Sequence, residues 1–342
     1  MKMTQTHLEL SHNHLLEVIK IQGDIAKLGI DLGQVMNLVV EKVLSLLNAD
    51  GAVIELAEGD EIVYRAASGT AKPHLGLRLK QNESLSGLCI TTGEILRCDD
   101  AELDDRVNFT ACNKVGLRSM LVMPLKYNDS VIGALKAFSK QANHFDTYAQ
   151  VLLGLLADVI SSAMFFAAKF NKDELFHKAT HDGLTDLANR SLFMDRLRNT
   201  IDVAKREHRL AGVLMIDMDG LKHVNDTFGH RIGDVMIKEL ANRIQHASRH
   251  SDTVARLGGD EFAALLTPIE TSNDLSATIE RLYSVVTSPF SYENIDYALR
   301  LSIGGACFPS DSYDIEKLLE IADERMYVVK AKHHKEQHIF SR

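Results

Sequence analysis

The chain has 342 residues, 45% of them hydrophobic and 25% charged, with only 5 prolines. That length exceeds one ordinary core and predicts two domains, and the composition excludes a long disordered chain. A net charge of −9 argues against a nucleic-acid polymer as partner, because a surface that tracks phosphates is basic. An anionic ligand would need a metal or a few local cations.

In chain order, the start MKMTQTHLELSHNHLLEVIK lacks the apolar run of a signal peptide, so a cytoplasmic chain is expected. Residues 7–29 read as an amphipathic helix on Leu8, Leu15, Ile19, Ile25 and Leu28. A second helix, GIDLGQVMNLVVEKVLSLL, closes at the turn NADG and leads into a strand at Ala52 to Leu56. Strands follow at EIVYRAA, RSMLVMPLKY and SVIGALKAF, the last two joined as a hairpin around Asn128 and Asp129. A helix from Thr147 completes an α/β sandwich.

That helix contains VLLGLLADVISSAMFFAAKF, residues 151 to 170, nearly long enough for a bilayer. Asp158, Ser161 and Ser162 interrupt it, so a buried or dimer-forming helix is expected and no membrane span. Leu152, Leu155, Val159, Phe166 and Phe176 suit a coiled-coil seam and packing within one subunit equally. Cys89, Cys98, Cys112 and Cys307 show no metal or redox spacing and read as reduced thiols.

From Leu175 the order changes. Two helices precede the strand AGVLMIDMD, two more follow it, then come strands TVARL and EFAALL, the helix DLSATIERLYSVV, the strand YALRLSIGGACF and a last helix IEKLLEIADERMYVVKAK. Strands alternating with helices predict a mixed sheet with helices packed on it.

The strand AGVLMIDMD ends in Asp217 and Asp219, two residues apart and therefore on one face. The segment RLGGDEF turns at Gly258 and Gly259, where the absent Cβ permits a tight turn and a close approach of backbone N–H groups to phosphate. Asp260 leaves that turn. If the two strands are neighbours, Asp217 and Asp260 converge as hard oxygen donors suited to Mg²⁺ or Mn²⁺. Taken alone, a GGDE tip reads as a solvated turn. Asn225 offers a donor and an acceptor, and Asp234 can accept from both N–H groups of a guanine edge. Lys222, Arg256 and Lys330 can balance triphosphate charge, although each alone reads as a surface cation.

The pieces THDGLTDLANRSLFMDRL, IDMDGLKHVNDTFGHRIGD, ARLGGDEF and ADERMYVVKAK stand in order across residues 175 to 334, and this half resembles the GGDEF-domain diguanylate cyclases. The resemblance implies that Asp217, the Met218 carbonyl and Asp260 bind metal, that Asp260 accepts the proton, and that Glu261 assists the metal or nucleotide. It implies that Asn225 and Asp234 read guanine, with His230 beside the nucleotide and Lys222 and Lys330 on phosphates. The implied reaction joins two GTP into cyclic di-GMP and two pyrophosphates, and needs a homodimer because each subunit holds one GTP. Arg249 and Asp252, in RHSD, stand where the family has its product-inhibition site, with Arg281 as a further arginine.

Departures from the family are Leu221 in place of phenylalanine, TDLANR in place of a TGLPNR-like stretch, and HHKEQ in place of a GRN-like turn, where His334 replaces a phosphate-binding arginine. A catalytically weak or inactive module that senses cyclic di-GMP or GTP is the alternative they suggest.

The first half resembles a GAF domain, in SLSGLCITTGEILRCDD, VGLRSMLVMPLKYNDSVIGALKAF and HFDTYAQVLLGLLADVI. That implies a small-molecule ligand or a dimerisation role. The expected fold is thus a GAF-type α/β sandwich joined by a long helix to a GGDEF nucleotide-cyclase-like domain with a central mixed sheet flanked by helices. The expected divisions are an N-terminal helix at 1–29, a sensor domain at 30–168, a helical linker at 169–182 and a cyclase domain at 175–342.

Overall fold

The computed structural model describes residues 12–28, 31–107, 112–113, 116–127, 130–167, 172–293 and 295–340. Leu8 and the Asn128–Asp129 turn lie outside them, as does the start of the expected linker. Contacts divide the chain into two units, Met1–Ala179 and Thr180–Arg342.

In the first unit, α1 (His12–Leu28) and α2 (Leu32–Leu47) precede β1 (Gly51–Glu58), β2 (Glu61–Gly69), β3 (Arg78–Lys80), α3 (Leu85–Thr92), β4 (Leu96–Cys98), β5 (Ser119–Tyr127), β6 (Ser130–Ser139), α4 (Thr147–Ala167) and α5 (Lys172–Thr180). Asp31 caps α2 by accepting from the Gln34 N–H, satisfying one of the free donors at the helix start. The left-handed Asn48 ends it.

The strands form one sheet in the order β3-β2-β1-β6-β5-β4. Alternation along β1 sends Ala52, Ile54 and Leu56 toward α2 and α4 and Val53 toward α3, so two apolar layers cover the two faces. Within α4, the 18 residues from Thr147 to Met164 are apolar enough by composition for a membrane, but Leu152, Leu153, Leu156, Ile160 and Met164 are buried in the core.

The stripe expected on the first helix is corrected. Val18, Ile21 and Ile25 are buried, whereas Leu15 is 39% and Ile19 60% exposed. The core selects one side of α1, and the looser spacing read from the sequence straddled it.

In the second unit, β7 (Ala188–Asn189), α6 (Arg190–Glu207), β8 (Leu210–Met218), α7 (Leu221–Phe228), α8 (His230–Ala247), β9 (Thr253–Gly258), β10 (Glu261–Ile269), α9 (Ser272–Val286), β11 (Phe290–Tyr292), β12 (Ile295–Tyr297), β13 (Leu301–Phe308) and α10 (Ile315–Phe340) follow. The sheet order is β13-β8-β10-β9-β7. All pairs are antiparallel except β7 with β9, so the sheet is mixed as expected.

Leu214, Ile216 and Met218 face a layer with Ile232, Met236 and Leu240 of α8, while Ala211 and Val213 face Phe193 and Leu197 of α6 and Leu318 and Ala322 of α10. Gly304 lets α10 lie directly on β13, since a Cβ there would meet the Ala322 carbonyl oxygen and the Met326 nitrogen at 2.1 Å. The single strand expected at YALRLSIGGACF is instead two, β12 and β13. Between them the Arg300 carbonyl accepts the Asp219 N–H at 3.0 Å.

Candidate active site

The carboxylates collect where β8 ends and the β9–β10 turn begins. Glu261 pairs directly with Asp217, and the Met218 N–H donates to the Asp260 carbonyl at 3.0 Å, so Asp217 and the Asp260–Glu261 pair sit on neighbouring strands. The turn needs its glycines: Gly258 has φ 144° and Gly259 φ 52°, both in the region side chains rarely adopt.

Arg256 is corrected from an available phosphate cation to a brace of this turn. It pairs with Asp182 at 3.1 Å and donates to the Gly259 carbonyl at 2.8 Å. Both arms of its guanidinium are therefore occupied.

Alternation does place Asp217 and Asp219 on one side, because both meet α10. Lys330 donates to Asp217 Oδ1 at 2.8 Å, and one helical turn on, His333 Nδ1 lies 2.8 Å from Asp219 Oδ2. The Ser302 hydroxyl donates to Asp219 Oδ1 at 2.9 Å and lies 3.2 Å from the same His333 nitrogen. Ser302 and His333 were not found from sequence. Only the pairing of Ser302 with Asp217 across β13 and β8 would have pointed to the first.

The electrostatics follow from this crowding. Burial pushes the Asp217 carboxyl up; the Lys330 hydrogen bond opposes that, while Asp260 and Asp219 add to it. Burial pulls Lys330 down, but its bond to Asp217 and the charges of Asp217, Asp260 and Asp219 more than reverse this. Glu261 pairs with Arg190 at 3.5 Å on the surface.

Among the described residues no three His, Cys, Asp or Glu side chains converge as a closed metal cage. Asp217, Asp260 and the Met218 carbonyl form a sparser oxygen set, the kind that holds Mg²⁺ when waters and substrate phosphates complete the shell. The residues fit such an ion better than zinc, which takes four protein ligands in a structural site.

Beyond β8, Asn225 on α7 has its Oδ1 buried with no hydrogen-bond partner among the described residues. Gly233 on α8 leaves room for it: a Cβ at 233 would stand 2.0 Å from that oxygen. Leu221, buried at the start of α7, borders the same space, its Cδ1 3.3 Å from that Cβ position. Asp234, Lys222 and His230 are exposed around it. A separate cleft of about 320 Å³ reaches Glu261 from the other side, floored by Phe193, Met194, Met215 and Leu257.

In RHSD, Asp252 accepts from the N–H groups of Arg249 at 2.8 Å and Thr267 at 3.3 Å, so its carboxylate orders the turn. Arg249 itself is exposed. Arg281 donates Nε to the Ala247 carbonyl at 2.8 Å and has a buried Nη2 without a partner among the described residues. The expectation for His334 lies outside the described side chains; His333 reaches Asp219.

Residues 179–336 match the family described as diguanylate cyclase, GGDEF domain, and residues 29–164 match the GAF domain. The chain thus carries a GAF domain followed by a GGDEF domain. It is 37% identical over 192 residues to the bifunctional diguanylate cyclase/cyclic di-GMP phosphodiesterase MucR of Pseudomonas aeruginosa, covering 54% of this chain and 28% of MucR. It is 31% identical over 224 residues to the diguanylate cyclase DosC of Escherichia coli, covering 65% of this chain and 47% of DosC. The chain thus spans less than half the length of these relatives. A solved structure of the GGDEF domain of Pseudomonas aeruginosa TpbB is 37% identical, covers 44% of this chain and 89% of that one, and has a TM-score of 0.44.

Proposed function

We propose that the chain is a diguanylate cyclase that joins two GTP into cyclic di-GMP and releases two pyrophosphates. The observation that carries this reading is the meeting of Asp217 with the Asp260–Glu261 turn on adjacent strands. The bare Asn225 oxygen supports guanine as the base, since it accepts one N–H of the guanine edge while Asp234 accepts another. Lys222 and Lys330 engage phosphates, the N–H groups of the Gly258–Gly259 turn approach them, and His230 lies beside the nucleotide.

A Mg²⁺ or Mn²⁺ ion on Asp217, Asp260, Glu261 and the Met218 carbonyl would neutralise phosphate charge and lower the pKa of the attacking hydroxyl. The 3′-oxygen of one GTP bonds to the α-phosphorus of the other, the bond to the β-phosphate oxygen breaks, and Asp260 takes the hydroxyl proton. Each chain binds one GTP, so two copies face one another as a homodimer and the step occurs twice.

The domain at 30–168, following the N-terminal helix at 1–29, controls this encounter in response to a small-molecule ligand, through the helical linker at 169–182; the cyclase domain runs from 175 to 342. Changing how two such helices pair would alter the meeting of half-sites without touching a catalytic residue. Arg249, Asp252 and Arg281 hold product and restrain the domains, with Asp252 acting by shaping the turn that presents Arg249. The chain works in the cytoplasm.

Purified full chain incubated with GTP and Mg²⁺ is expected to yield cyclic di-GMP by mass spectrometry, and Asp260→Ala to yield none while melting as the parent does. Tight cyclic di-GMP binding by the parent without turnover would replace this reading with that of a sensor module.

A further inference from the structure

The face of the first sheet turned toward α3 is an apolar layer built on Val53, Ile62, Val122 and Phe138, with Leu85 and Ile90 of α3 over it. At its centre stand two opposite charges. Glu55 of β1 is 0% and Lys136 of β6 is 6% exposed. Lys136 Nζ donates to Glu55 Oε1 at 2.5 Å, to the Tyr64 hydroxyl at 3.0 Å and to the Ser86 hydroxyl at 3.4 Å. The three ammonium hydrogens thus have three acceptors from β1, β2 and α3.

The remaining groups do not balance. Glu55 Oε2 is sealed from solvent and has no partner among the described residues. Tyr64 and Ser86 each face the ammonium with a lone pair, which turns their own hydroxyl hydrogens away from it, and neither donates to an acceptor among the described residues. A buried carboxylate oxygen left bare is among the costlier states a fold can hold, and native structures nearly always satisfy one. What is missing is a donor for Glu55 and an acceptor for two hydroxyls.

Charge narrows the class. Glu55 and Lys136 already cancel, so a cation or an anion arriving here would add an uncompensated charge in a dry interior. The occupant is neutral. Cys89 is consistent with such a wall: burial first, and then the Glu55 charge, push its thiol up to about 12, so it stays an uncharged lining group.

We infer that the first unit binds a small neutral molecule whose edge carries an N–H beside a carbonyl oxygen, an amide, lactam or ureide edge. The N–H meets Glu55 Oε2, and the carbonyl oxygen accepts from the hydroxyls of Tyr64 and Ser86. This deepens the reading of the domain as a small-molecule sensor by naming the residues and the chemistry of its ligand.

The test uses the full chain without GTP, with uracil and 2-pyridone as probes and 1,3-dimethyluracil as the matched compound lacking an N–H. Either N–H probe is expected to raise the melting temperature saturably by about 2 °C or more, and dimethyluracil is expected to have no effect. Glu55→Gln alone strands the Lys136 charge and keeps an accepting oxygen, so the paired change Glu55→Leu with Lys136→Met, which removes both charges and the acceptor together, is the informative variant; it should melt normally and lose the response. A crystal structure with the bound probe should place its nitrogen within hydrogen-bond distance of Oε2. No response to either N–H probe, an equal response to dimethyluracil, or a water as the only group on Oε2 would overturn the inference. A probe that binds but leaves cyclic di-GMP synthesis unchanged would instead overturn the regulatory reading and leave the site standing.

Discussion

Lys330 and Asp217 form a hydrogen-bonded ion pair of 2.8 Å, Lys330 29% and Asp217 7% exposed in their side chains, that ties the last helix to the end of the strand bearing the carboxylates. Without a divalent ion, this lysine is the cation nearest to Asp217. The pair therefore lessens a repulsion among Asp217, Asp219 and Asp260 that a metal and phosphates would lessen further. Asp217→Asn is expected to remove part of that repulsion, raising the metal-free melting temperature by about 2 to 4 °C while abolishing product. Adding Mg²⁺ should raise the melting point of the parent and not of the variant. A variant that melts lower than the parent and still responds to Mg²⁺ would contradict this.

His333 holds the same helix one turn further along, through Asp219 and Ser302. It acts as a positioning residue: it fixes the stretch of α10 from which Lys330 reaches Asp217. His333→Ala is expected to lower kcat/KM about 10-fold with little change in melting temperature. His333→Asn, which keeps an N–H donor in the δ position, should recover most of that. Combined with Lys330→Ala, the loss should fall well short of the sum of the single effects, because both changes disturb one contact. Full additivity would show that His333 serves only the fold.

Burial pushes the thiols of Cys89 and Cys98 up to about 12, from an unfolded value near 9.0. The folded state therefore holds these protons more tightly than the unfolded chain does. Stability from this source is fully present below pH 9 and is lost as the pH rises from 9 toward 12. The melting temperature of the parent is expected to fall more steeply above pH 9 than that of a variant carrying Cys89→Ala and Cys98→Ala. At pH 8 a thiol reagent should leave both residues unmodified in the folded chain. Ready labelling of either would refute their burial.

Sequence alone made the strand pair legible, because Asp217 and Asp260 each follow an apolar run with alternating faces, and such runs seek one another in a sheet. The contacts of Asp219 were not legible: Ser302 lies 83 and His333 114 residues away, and no periodicity links positions so far apart. Arg256 misled for a related reason. Its role is fixed by Asp182, 74 residues earlier, which claims a guanidinium that otherwise looks free to meet phosphate. The break in YALRLSIGGACF was hidden too, since Leu299 is buried like a strand residue although the Arg300 carbonyl turns to the Asp219 N–H.

Gly233 offers the sharpest probe of the guanine reading, because it is buried inside α8 and its missing side chain is what leaves room for the buried Asn225 oxygen. Alanine is intrinsically the better helix former there, by about 1 kcal/mol, so Gly233→Ala should not weaken the helix itself. Its methyl carbon, however, would stand 2.0 Å from Asn225 Oδ1, and that side chain must swing away. The expected result is a GTP KM raised about 10-fold or more, a kcat that is largely retained, and unchanged binding of magnesium as judged by the melting shift. Asn225→Ala should then cost little further on that background, because the oxygen has already been displaced. If Gly233→Ala left the GTP KM unaltered, the space beside Asn225 would not be where the base is read.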